Sequence, residues 1–274
     1  MVVTCRVLNI STSGYYEWRS RGPSARDLAD AHLIERLRQV HARSRQTYGV
    51  RRCHAELRLG AGLRIGHKRV WRLLRLAGLQ GVHRRRWRHS RPAEAVWEDR
   101  VQRKFRADGP DKLWFTDITQ HRTREGWVYC AAVLDVDSRR IVGWSIADHL
   151  RTELVVDALE MARWRRRPTG TIVHSDRGAQ YTSWLFGHRL REAGLLGSMG
   201  KVACAYDNSV MESFFGSMQI ELLDRRSWAT RNELANAIFE WIEAFYNPSR
   251  RHSALGYLSP NDYETLHSHA AAAA

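Results

Sequence analysis

Paired cysteines are missing from this chain. Cys5, Cys53, Cys130 and Cys204 are dispersed, with no C-x-x-C pair and no matching histidine spacing. That argues against a zinc module and fits thiols kept reduced in a cytoplasm. Long apolar runs are missing as well. None approaches the roughly 18 residues that a membrane-spanning helix needs, and Arg6 interrupts the N-terminus before any signal-peptide core develops. The sequence therefore reads as soluble and cytoplasmic. No internal repeat stands out, and the only low-complexity piece is Ala270–Ala274.

Acidic residues are scarce, but only in part of the chain. Residues 1–110 hold 25 Lys and Arg against 9 acids, a net charge of +16, whereas residues 111–274 hold 19 and 20, a net of −1. The whole excess of the +15 chain sits in its first two-fifths. Such a balance points to a polyanionic partner, nucleic acid before membrane. The split resembles a binding region joined to a catalytic one. Three parts follow: residues 1–82, helical and helix-turn-helix-like; 83–110, a basic linker; and 111–269, a catalytic core with a C-terminal helix and tail.

In the first part Ser24 is a good N-cap with Asp27 in the first turn. The run from Ala25 to about Ala42 sets Leu28, His32, Ile34, Leu37 and Val40 on or near one face. A short helix fits Val50–Leu59, and Gly60 and Gly62 make a turn. Another helix fits His67–Ala77, with Val70, Leu73, Leu74 and Leu76 inward and Gly78 as its stop. Short Arg-rich helices around a Gly turn suggest a helix-turn-helix. The segment Ser11–Trp18 reads as a further helical unit. The linker holds His83-Arg-Arg-Arg-Trp-Arg-His89, which is either a solvated charge run or a strap along DNA phosphates with Trp87 free to stack.

From Leu113 the pattern changes to strands. Leu113–Thr119, Trp127–Val136 and Arg140–Ala147 form an antiparallel meander that is apolar on both faces, hence central and covered. Thr152 caps a helix. A strand at Thr171–Ser175, a helix over Ser183–Ala193, a strand near Leu195–Met199 and a helix carrying Glu212 come next. Thr230 and Glu233 have the capping-box pattern of a last helix. Three antiparallel strands followed by α-β-α-β-α is the ribonuclease-H-like order.

Asp117 interrupts an apolar strand, Asp176 closes another, and Glu212 lies in a helix with 35 residues between it and Asp176. A charge in such a strand must be neutralised, hydrogen-bonded or metal-bound. Each acid alone has a structural use: Asp117 at a strand end, Asp176 in a turn with Arg177-Gly178, Glu212 in a capping box with Ser209. A rival, Asp135, lies beside the Asp137-Ser138 hairpin turn. Taken together, three acids on two strands and a helix match the apparatus of two-metal phosphoryl transfer.

Several ordered motifs carry a resemblance. Trp114-Phe-Thr-Asp-Ile-Thr119, Asp135–Trp144, His174–Tyr181, Tyr206–Phe215 and Tyr246–Tyr257 resemble the retroviral-integrase-type core of insertion-sequence transposases. They resemble the OrfB-type product of the IS-three family, and Ser44–Arg52 resembles that family's basic N-terminal region. The resemblance implies an α/β, ribonuclease-H-like mixed sheet with flanking helices, preceded by a small all-α helix-turn-helix-like domain. It implies a DDE transposase, in which Asp117, Asp176 and Glu212 hold two Mg²⁺ (or Mn²⁺) for DNA cleavage and strand transfer. It further implies oligomers on the element's ends, and fusion to an upstream-frame OrfA product. Arg51, Arg52, Lys68, Arg69, Arg84, Arg85, Arg86, Arg177, Gln219, Arg250 and Arg251 are the candidate DNA contacts, with Asn208 and Gln180 near the site. Family members commonly carry Lys where this chain has Gln219, two turns beyond Glu212 on the same helix face. A ribonuclease-H-like nuclease and an inactive DNA-binding remnant or regulator are the alternatives.

Overall fold

The structure is a computed structural model and describes residues 2–83, 107, 109–199 and 209–272. Arg84, Arg85, Arg86 and Trp87 of the basic linker, and Asn208, lie outside the described residues. The chain divides into two compact units, Met1–Gly81 and Val82–Ala274.

The first unit is all-helical: α1 (Val2–Val7), α2 (Thr12–Ser20), α3 (Ala25–Arg43), α4 (Val50–Ala55) and α5 (His67–Leu76), with a π-helical turn at Glu56–Gly60 prolonging α4. Ser24 and Asp27 close a reciprocal capping box at the start of α3: the Asp27 N–H donates to Ser24 Oγ and the Ser24 N–H to Asp27 Oδ2. The face that α3 buries matches the expected one at Leu37, with Ile34 and Val40 half-buried, but not at Leu28 and His32. Asp30, Leu37 and His41 are inside, while Leu28 is half exposed. An acid lies on the inner face because two arginines of α5 reach it, which no apolar periodicity can foretell. At the end of α5, Leu79 N–H donates to Leu74 O and Gly78 N–H to Arg75 O, with Gly78 at φ +68. This is a Schellman stop, and it needs the left-handed backbone that glycine adopts at least cost. Val70, Leu73 and Leu74 are buried as expected, but Leu76, at the last position, is exposed.

The second unit is built on a five-stranded sheet in the order β3-β2-β1-β4-β5. Its strands are β1 (Leu113–Thr123), β2 (Gly126–Asp135), β3 (Ile141–Ala147), β4 (Ile172–Ser175) and β5 (Leu196–Met199). β1, β2 and β3 pair antiparallel; β4 joins β1, and β5 joins β4, in parallel. The helices are α6 (Thr152–Arg166), α7 (Trp184–Glu192), α8 (Ser209–Glu221), α9 (Arg231–Glu240) and α10 (Pro260–Ala272). α6 packs on β2 and β3, α8 on β1, and α9 on β2. β2 is buried along most of its length, as a strand covered on both faces must be. Thr152 is the first helical residue of α6 rather than its cap, which is Arg151 without a side-chain bond. At α9 the Thr230 side chain accepts from Glu233 N–H as expected, but Glu233 reaches back to Ala229 N–H instead of Thr230.

α6 lies unusually close to β3 at Gly143. A Cβ there would stand 2.1 Å from Ala158 O and 2.7 Å from Ala162 N. Neither backbone atom can move without shifting the helix, so Gly143→Ala overpacks the core. The expected loss is about 3 kcal/mol, the upper end for added core volume, read as a lower melting temperature against wild type. A variant as stable as wild type would show that α6 does not lie this close in solution.

Candidate active site and nucleic-acid interface

The parallel pairing of β1 with β4 is what joins the two aspartates. Its last register pair is Thr116 with Ser175. The residues that follow are Asp117, still within β1, and Asp176, just past the end of β4. Register partners on adjacent parallel strands point to the same face, about 4.8 Å apart. Asp117 lies midway along β1 and Asp176 just past the carboxyl end of β4, and both line one cleft. Glu212 arrives from the first turn of α8, which packs on β1.

Asp117 is half-buried, and burial is the largest influence on its carboxyl, which is pushed up from 3.8 to about 7. The neighbouring negative charge of Asp176 adds to the rise and Glu212 adds less, while the Ile118 N–H, donating to Oδ1 at 2.8 Å, opposes it. No Lys, Arg or His among the described residues pairs with Asp117. Asp176 is exposed and accepts from Gly178 N–H at 3.0 Å, so it also shapes the turn after β4. Asp117 and Asp176 line a cleft of about 390 Å³ together with Gln120, Tyr129, Gln180 and Tyr181. Glu212 is not on that lining. Among the described residues no three His, Cys, Asp or Glu side chains already form a cation cage. Residues 200–208, which lead into α8, are outside the described residues.

Two hydroxyls under the cleft were not singled out in the sequence. Tyr181 is buried, with its OH 3.2 Å from Thr116 Oγ1. Burial foremost, with Asp117 nearby, holds its phenol well above the ordinary range, so it stays protonated. Its place five residues after Asp176 was the available signal. Asp135 is a hairpin residue: it accepts from Ser138 N–H, Ser138 Oγ–H and Asp111 N–H. Burial raises its carboxyl to about 6, but these donors already occupy it.

The candidate DNA contacts separate into two groups. Arg51 and Lys68 are exposed. Arg52 lies over the Tyr48 ring at 5.5 Å. Arg177 is partly buried beside Asp176. Gln180 donates its amide to Leu150 O. Arg69 is drawn to Asp30, and Arg251 donates to Tyr257 O and faces Asp262. Arg250 does not face outward. It is 4% exposed and grips Glu221 through Nε and Nη2 at 2.8 and 2.7 Å, with Nη2 also on Ser217 Oγ. A guanidinium occupied inside the core ties the segment after α9 to α8; it does not meet phosphate. Arg250→Ala strands the Glu221 carboxylate without its partner and is expected to cost about 3–5 kcal/mol, measured by denaturant unfolding. A loss below about 1 kcal/mol would mean the pair is open to water.

Comparison with known proteins turns on these same segments. The family model "Integrase core domain" matches residues 107–204, a second model of that description matches 194–260, and "HTH-like domain" matches 27–87. The transposase for insertion sequence element IS629 of Shigella sonnei is 39% identical over 95% of this chain and 90% of its own length. The transposase InsF for insertion sequence IS3A of Escherichia coli (strain K12) is 39% identical over 95% and 92%. The chain belongs to the IS3 family of insertion-sequence transposases. A chain of the simian T-cell lymphotropic virus intasome, solved with the PP2A regulatory subunit B56 gamma, covers 77% of this transposase and 73% of itself at 14% identity, TM-score 0.49. At Gln219 the transposase carries a neutral amide that donates to Asp224 Oδ1. No helix among its described residues is long and apolar enough to cross a membrane.

Proposed function

We propose that this transposase cleaves and joins DNA strands at a site formed by Asp117, Asp176 and Glu212, which hold two Mg²⁺ or Mn²⁺ ions. The carrying observation is Asp117. Burial first, then the charge of Asp176 and, least, that of Glu212 push its carboxyl to about 7, with no cationic side chain among the described residues to offset it. Hard carboxylate oxygens without a basic partner suit a divalent cation. When bound, the ions supply Lewis-acid stabilisation of the attacking and leaving oxygens of an in-line displacement.

The chain's own groups do the rest. Strand β1 holds Asp117, and the end of β4 delivers Asp176 to the same cleft. Glu212 closes the set from α8. The Asp176–Gly178 turn sets the direction of the Asp176 carboxylate. The cleft admits a sugar-phosphate segment beside Gln120 and Gln180, whose amides can meet phosphate or base edges. Its partners are the element's ends and target DNA, engaged as an oligomer and fused to an upstream-frame product, in a bacterial cytoplasm and on the nucleoid.

The test is strand joining. Labelled element ends with Mg²⁺ and the protein, fused to its upstream segment where that is required, should give both nicked and joined products. Cleavage without joining to a 3′-hydroxyl would instead indicate a ribonuclease-H-like nuclease. Binding without either step would indicate a regulator.

A further inference from the structure

We propose that Lys68, Trp71 and Arg75, the outer stripe of α5, read DNA sequence in the major groove, with Trp71 and Arg75 as the base-contacting pair. The inference rests on the reading that the chain works on DNA, and goes beyond it by assigning the residues that choose the sequence.

The inner face of α5 sets its rotation. Val70 and Leu73 are 0% exposed and Leu74 is 3%. At 100° per residue, positions 68, 71 and 75 cluster on the side opposite these three. Four cations lie on α5 with no acid among them, but they are not equivalent. Arg69 donates through Nε and Nη2 to Asp30 Oδ1 at 2.9 and 2.7 Å, and Arg72 donates to the other oxygen of the same carboxylate. Asp30 is buried at 6%. Those two arginines are therefore a clamp that ties α5 to α3, and the Asp30 carboxylate offsets their charge. Lys68 and Arg75 have no ion-pair partner among the described residues.

Trp71 is not among the buried residues of α5. It is 48% exposed, and the Arg75 guanidinium stacks over its ring at 5.1 Å. Stacking holds the arginine extended and leaves its planar fork free at the edge. A fork of that kind pairs bidentately with guanine O6 and N7, and a neighbouring apolar ring suits a thymine methyl. Lys68, at the start of the helix, is a point charge suited to phosphate. Duplex DNA is the occupant that fits: residues 1–81 hold 16 Lys and Arg against 5 acids, a net of +11. The helix that follows the turn is also the one a helix-turn-helix inserts into the groove.

The experiment is selection from a random-sequence duplex pool by the full-length chain, with sequencing of the bound fraction. Wild type should enrich a motif. Arg75→Lys keeps the charge but removes the fork. It should bind the unselected pool within roughly twofold of wild type while losing enrichment at one guanine, and about tenfold or more in affinity for the selected duplex. Trp71→Ala should relax the adjacent position. Lys68→Ala should weaken every duplex alike and lower the log–log salt slope by about one. All three positions are exposed, so these variants should fold, which circular dichroism checks. Selection of the wild-type motif at wild-type affinity by both Arg75→Lys and Trp71→Ala would overturn the assignment. So would loss of a dimer on size-exclusion chromatography with DNA selection unchanged, since the stripe would then pack on a second copy. If wild type joins strands but enriches no motif, this inference fails and the catalytic reading stands. If it neither binds nor joins DNA, both fail.

Discussion

Asp117→Asn, Asp176→Asn and Glu212→Gln are each expected to lower strand cleavage and joining by roughly a thousandfold or more, about 4 kcal/mol of barrier, while leaving DNA affinity largely intact. The amides keep shape and polarity but lose the charge that would hold the cations. Both steps should fall together if, as proposed, a single carboxylate set serves them. The measurement is joining of labelled ends, with filter binding alongside. Normal joining by one variant would remove that residue from the catalytic set. Glu212 is the member most exposed to this test, since it is electrically coupled to Asp117 but does not line the cleft.

Without metal, Asp117→Asn should raise stability rather than lower it. Below about pH 3.8 the Asp117 carboxyl is protonated folded or unfolded, and its titration has no effect. Between 3.8 and about 7 the folded chain keeps a proton that the unfolded chain releases. Stability therefore falls as pH rises through that window, by about 1.4 kcal/mol per pH unit, and the penalty is complete above it. Asparagine removes the charge and retains an acceptor for the Ile118 N–H. At pH 8 in EDTA, the variant should melt roughly 5–10 °C above wild type. Added Mg²⁺ or Mn²⁺ should raise the wild-type melting temperature by linkage and the variant's much less. A variant that melts below wild type in EDTA, with equal gains from metal, would make Asp117 a structural carboxylate.

Local rules carried far in this chain because they depend on near neighbours. Ser24 with Asp27, Ser183 before α7 and Gly78 after α5 each behave as their chemistry dictates. The strands of the meander were legible from their apolar runs. α10 was not anticipated although a cue was present: Ser259 precedes Pro260, and its Oγ accepts the Asp262 N–H. The α3 face was legible only in part, at Leu37, Ile34 and Val40, for another reason. Asp30 belongs inside only because Arg69 and Arg72, 39 and 42 residues away, neutralise it.

The sequence by itself determined the element order, the uneven charge and the candidates Asp117, Asp176 and Glu212, since composition, periodicity and motif spacing are properties of the chain. Tertiary structure decided which charges are available. Parallel pairing of β1 with β4 set Asp117 beside Asp176. Burial and that neighbour then displaced the Asp117 carboxyl. Folding also enclosed Arg250 with Glu221 and committed Arg69 and Arg72 to Asp30, leaving Lys68, Trp71 and Arg75 outward. An arginine's sequence neighbours do not reveal whether a carboxylate far along the chain will meet it; only the packing does, because charge pairing depends on distance and desolvation.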